Sequence, residues 1–145
     1  MSKTNVFEND FLQLVFNNVN VSLVGDATGL RGASAAGNLY LSLHVADPGE
    51  TGDQTTSEAA YTGYARVPVA RTSAGFVVTG NAAALAAATD FPVGTGGSGT
   101  ATHVGIGCSA SGAGKLPFKG AVTPNLDMGD GKTPRVNAGT VVTED

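Results

Sequence analysis

The sequence predicts an all-β, jelly-roll-like β-sandwich led by one short N-terminal helix. Leu39, Leu41, Leu43 and Val45 alternate with Tyr40, Ser42 and His44, the two-residue period of a strand with one apolar and one mixed face. That run stops in Asp47-Pro48-Gly49, where proline presets φ and glycine accepts a positive one, so the chain turns. The same alternation of strand and turn continues to the C-terminus.

Only the beginning has a helical period. Phe7, Phe11, Leu14 and Val15 recur at spacings of three and four, with Leu12 and Phe16 on the flank. Asn5 and Glu8 have the spacing of a capping box, and Asn17-Asn18 is a stop, which gives about three turns between Val6 and Asn17. Three phenylalanines on so short a helix need cover, from their own sheet or from a neighbouring subunit. Residues 25–37 are rich in glycine, alanine and serine without a period, and form a loop.

Residues 39–46 form the first strand, with Leu41 and Leu43 facing inward and Ser42 and His44 on the opposite face. A long polar loop, 47–62, carries Glu50, Asp53 and Glu58. Residues 64–71 form a strand in which Pro68, unable to donate to a ladder, requires an edge or a bulge. Residues 75–79 are a strand. The alanine-rich 82–89 has the highest helix propensity of the chain, but it is short for an isolated helix and its neighbours are strands, so a strand is expected. The glycine-rich 94–99 is expected to be a flexible loop. Strands follow at 100–107 and 116–122, then a polar turn at 127–132 and a last strand at 135–143. Seven or eight short strands result, and no period of 20 to 50 residues marks a solenoid or propeller. The expectation is a single domain over residues 1–145, with a helical arm at 1–18 and the β-sandwich at 38–145.

Composition narrows the function. A chain of 145 residues with 41% apolar and only 14% charged residues folds rather than staying expanded. Its net charge of −4 and its scattered bases disfavour direct contact with nucleic acid, which needs clustered Lys and Arg. One cysteine, Cys108, excludes an intrachain disulfide and a cysteine-rich zinc site, and fits synthesis in a reducing compartment such as a cytoplasm. The start lacks the basic and apolar regions of a signal peptide, and no apolar run reaches the roughly 18 to 20 residues of a membrane span. A soluble protein with no membrane partner is expected.

No motif assembles a reaction centre. Residues 94–99 match G-x-G-x-x-G, but a strand-like segment follows where a dinucleotide site needs a helix. Gly112-Ala113-Gly114-Lys115 lacks the earlier glycine and the following Ser/Thr of a phosphate loop. His44 and His103 lie on different strands, and nothing in the sequence joins them with a carboxylate in a metal site. Asp47, Glu50 and Asp53 do not follow calcium-loop spacing. Cys108 has no basic neighbour to activate it. An enzyme, a cofactor and a bound metal are therefore not expected.

The segments LYLSLHVADPGETGD (39–53), EAAYTGYAR (58–66), THVGIG (102–107) and SGAGKL (111–116) resemble a family of small tailed-bacteriophage virion proteins. The resemblance runs from the helix to the Thr143-Glu144 ending. It includes capsid cement or decoration proteins, often labelled tail-fibre proteins, and it implies a capsid-binding role without catalytic residues. The leading expectation is a cement protein on the capsid surface of the virion, partnered by the major capsid protein and by itself as a dimer or trimer. Such a clamp adds contacts across a shell loaded by packaged DNA, and many copies of a modest interface sum to a large stabilisation. A tail or tail-fibre component is the alternative. A carbohydrate-binding jelly roll is the third reading, weakened by the absence of tryptophan. Interface candidates are Phe7 and Phe11 on the helix and Tyr64 and Arg66 at the edge strand.

Overall fold

The computed structural model describes residues 2–25 and 29–144. One helix, α1 (Asn5–Asn17), precedes nine strands: β1 (Asn38–His44), β2 (Val67–Ala70), β3 (Phe76–Thr79), β4 (Ala82–Leu85), β5 (Thr89–Asp90), β6 (Ser98–Gly107), β7 (Phe118–Gly129), β8 (Arg135–Val136) and β9 (Val141–Thr143). The fold is all-β with one short N-terminal helix. Two compact units divide the chain: one takes the described parts of Met1–Asn38, Ala70–Ala88 and Asn137–Asp145, the other Leu39–Val69 and Thr89–Val136.

In the first unit, α1 is capped one residue earlier than the Asn5 expected. Thr4 is extended, its hydroxyl accepts from the Phe7 N–H and its carbonyl from the Glu8 N–H, the role of an N-cap. Asn18 ends the helix in the left-handed conformation at φ 58°, as the Asn17-Asn18 stop predicts. The last-turn carbonyls, which a helix leaves without partners, are taken by Arg71: Nε donates to Val15 O at 2.6 Å and Nη2 to Leu14 O at 2.7 Å. Leu12 and Phe16 are fully buried, and Phe16 meets the Phe76 ring at a centroid distance of 4.8 Å.

A three-stranded antiparallel sheet, β3-β4-β9, lies against this helix. The alanine run is a strand because its alternate residues Ala83 and Leu85 reach the buried face beside Phe76. Gly80 at φ 59° makes the two-residue turn with Asn81 that joins Thr79 to Ala82. The register places Val77, Ala84 and Val141 in one row on the opposite face.

The second unit is built on a four-stranded sheet in the order β2-β1-β6-β7. Pro68 sits on the edge strand β2, as its missing N–H requires. In β1, Leu39, Leu41 and Leu43 are buried as alternation predicts, but Ser42 and His44 are equally inaccessible. The strand ends at His44, and Val45 is 48% exposed instead of continuing the apolar face. Both faces are buried because residues 47–58 fold back over the mixed one. Val45 N donates to Ser57 O, Gln54 N to Gly114 O and Ala59 N to Leu43 O.

Strand β7 is longer than the expected 116–122 and runs through Asp127 to Gly129, so the turn begins at Asp130. Between its two paired stretches the register slips, with Ala101 opposite Leu126 and His103 opposite Ala121. Pro124 falls in that excursion, where no ladder donor is lost. The 94–99 segment is not the flexible loop its glycines suggest. Thr62 N donates to Gly96 O and Thr95 N to Thr62 O, while Gly131 N donates to Gly94 O. A Cβ at Gly94 would lie 2.0 Å from Gly129 O, so the glycine permits backbone approach rather than mobility. The expected last strand divides in two: β8 pairs with β5 in this unit, where Arg135 forks onto Asp90, and β9 pairs with β4 in the first.

Candidate functional site

Arg66 lies just before β2 and is 7% exposed. Its Nε donates to Glu58 Oε1 at 2.6 Å and its Nη2 to Glu58 Oε2 at 2.7 Å, a two-pronged geometry that only guanidinium offers a carboxylate. The same guanidinium donates to Ser109 O at 3.0 Å and Gly112 O at 2.8 Å. Tyr64 Oη donates to Glu58 Oε1 at 2.9 Å and accepts from the Leu43 N–H at 3.1 Å. Donating to the Glu58 carboxylate raises Arg66 above its usual range, and burial pushes the Tyr64 phenol well up. The Arg66 guanidinium stays charged and the Tyr64 phenol protonated at neutral pH.

These residues border a depression of about 270 Å³ lined by Glu58, Tyr64, Ala65, Arg66, Ala110, Ser111 and Gly112. Both Glu58 oxygens are engaged by Arg66 and Tyr64. What the depression presents is small side chains and a loop fixed from beneath by Arg66.

Beside it, the register sets His44 directly opposite His103, a proximity that sequence spacing does not reveal. His44 is fully buried. Its Nδ1 lies 2.8 Å from Thr56 O and its Nε2 2.9 Å from Ser42 Oγ. A carbonyl only accepts, so Nδ1 carries the proton and Nε2 accepts from the Ser42 hydroxyl. Burial pulls His44 below its ordinary value against the opposing effects of the Thr56 carbonyl and Glu58, and Arg66 and His103 pull the same way as burial. His103 Nδ1 is 2.9 Å from Thr102 Oγ1.

The acidic residues of 47–58 tie the loop down. Lys119 Nζ is 2.9 Å from Asp47 and 3.1 Å from Glu50, and the Lys119 hydrogen bond lowers Asp47. Asp53 Oδ1 accepts from the Thr55 hydroxyl and N–H, and the hydroxyl bond holds its carboxyl down. Among the described residues no three His, Cys, Asp or Glu side chains gather closely enough to hold a metal ion. Cys108 is exposed.

Of the interface candidates, Tyr64 and Arg66 belong to the cluster just described, with their polar atoms engaged inside the chain. Phe7 and Phe11 are half-buried on α1 in the first unit. That unit also displays the uncharged row Val77, Ala84 and Val141, in which both valines are about half exposed.

Gln54 escaped the sequence reading. It is fully buried, donates from Nε2 to Ser109 O at 3.2 Å and accepts at Oε1 from the Ser109 N–H at 2.9 Å. A Cβ at Gly107 would stand 2.0 Å from Gln54 Cδ, and one at Gly114 would stand 2.2 Å from Oε1. Its signal lies in Gly105 and Gly107, two of the three glycines of β6, since glycine inside a strand marks a close approach.

Among the described residues no helix is long and apolar enough to cross a membrane. No curated protein matches the chain. The family model described as podophage GP4 fiber I protein gp80 matches residues 2–144. The chain belongs to that family and is a phage virion structural protein.

Proposed function

We propose that the chain is a tail-fibre component of the virion that acts by docking, without a reaction of its own. The observation that carries this reading is the match of a fibre-protein family over residues 2–144. The geometry supports docking over chemistry because the charged groups of the Glu58–Arg66 cluster are spent on one another and on the 109–112 backbone.

Self-association as a dimer or trimer belongs to the same proposal. Two features of the first unit support it. One is the uncharged Val77–Ala84–Val141 row. The other is the edge of β9: Glu144 N donates to Asn81 O and Leu85 N to Thr140 O, which turns the Val141 and Thr143 backbone groups away from β4 and leaves an edge able to pair. Phe7 and Phe11 are the aromatic contacts proposed beside them.

Head decoration is the second reading, with the major capsid protein as partner and the capsid surface as location. It is favoured by the absence of a sequence period of the kind a repeating shaft carries. Electron microscopy of virions labelled with an antibody against the chain tests both. Label on the tail upholds the fibre reading, and label over the head replaces it with decoration.

A further inference from the structure

We propose that His44, set opposite His103 across the ladder, is a proton-sensitive latch that holds residues 47–58 against the sheet. His44 is buried beneath that segment and joined to it through Thr56 O, while its other nitrogen takes the Ser42 hydroxyl proton. His103 faces it across the ladder. The site is full: a Cβ at Gly105, the next inward position of β6, would lie 2.8 Å from His44 Nε2 and 2.6 Å from Leu116 Cδ1.

A second proton on His44 introduces a positive charge where water has no access. Ser42 can turn its oxygen to accept from the new Nε2–H, but its own hydrogen then loses its partner. The surrounding charges do not compensate. From β6 the cation meets His103, whose effect on His44 runs in the same direction as burial. From the segment before β2 it meets Arg66, and from 47–58 it meets Glu58, whose carboxylate is already paired with Arg66. From β7, Lys119 is occupied by Asp47 and Glu50. Burial first, with Arg66 and His103 pulling the same way, holds His44 neutral in the closed form.

Opening relieves this. Lifting 52–58 hydrates the imidazolium at the expense of the Thr56 and Ser57 contacts, whereas the Lys119 ion pairs, which hold the Asp47 carboxyl below the usual carboxylate range, keep the 47–50 end tethered. The segment then swings rather than detaches, carries Gln54 off Ser109 and uncovers the Gly105–Gly107 face of β6.

Residue-resolved amide exchange on the full chain tests the latch. Corrected for intrinsic rates, protection at Val45 and Gln54 should fall about tenfold or more between about pH 7.5 and about pH 5, while Leu85 and Ala86 in the first unit hold. His103→Gln should move the loss to lower pH, and His44→Gln should leave protection independent of pH. Should His44→Gln fail to fold, the ring-proton titration of His44 in the natural chain replaces it: its midpoint should coincide with the opening of Val45. Constant protection, a uniform loss in both units, or opening without titration of His44 overturns the proposal.

Discussion

Arg66 grips Glu58 through two hydrogen bonds of 2.6 and 2.7 Å while holding the carbonyls of Ser109 and Gly112 with its remaining donors. One buried side chain thus joins the 58–66 segment to the 109–112 loop. Removing it by Arg66→Ala leaves a part-buried carboxylate without its counter-charge and two carbonyls without donors, and should cost about 3 to 5 kcal/mol. The double change Glu58→Leu with Arg66→Met should cost less than Arg66→Ala alone, since no lone charge remains. Urea unfolding of the three proteins measures both, and equal losses for the single and double variants would contradict the pairing argument.

Strand β1 offers a sharper comparison. Leu43→Ala should cost about 2 to 5 kcal/mol through lost transfer energy and a cavity. Ser42→Ala should cost about 1 to 3 kcal/mol, because it leaves His44 Nε2 buried without its donor. A loss at Ser42 near zero would show that its hydroxyl finds water instead.

That second figure marks where the sequence ceases to be legible. Alternation in 39–43 correctly finds the leucine face, though not Val45, and Pro68 correctly finds the edge strand, because both depend on local geometry. The burial of Ser42 and His44 depends on 47–58, a segment polar enough to read as solvated. Its polar groups face inward and satisfy one another, as Gln54 does with Ser109. Likewise the division of 135–143 between two units follows from which strands it meets, β5 and β4, and no local pattern encodes that choice. The Glu58–Arg66–Tyr64 cluster spans nine positions in sequence, but the 109–112 carbonyls that complete it are contributed by backbone, which carries no sequence signature.

Gly107→Ala should destabilise by about 1 to 3 kcal/mol, since its Cβ would overlap a fully buried side chain. The Gly107→Ala/Gln54→Ala double variant should lose less than the sum of the two single losses, because truncating Gln54 opens the space the methyl needs. Additive losses measured by urea unfolding would place the strain elsewhere than against Gln54.

Stability should fall with acid in two separate windows. His44 has a folded-state value below its ordinary 6.5. Under pH 6.5 the unfolded chain therefore takes up a proton that the folded chain refuses, and stability declines from there down to the folded value. Asp47, Asp53 and Asp90 are depressed from 3.8 by Lys119, Thr55 and Arg135 respectively. Their contribution is complete above that value and is lost only as pH falls through the still lower folded ones. His44→Gln should flatten the upper window and leave the lower one intact, as read from unfolding midpoints across the range. A decline from pH 6.5 that survives His44→Gln would assign the upper window to another group, and would leave the Ser42–His44–Thr56 chain a packing feature rather than a titrating one.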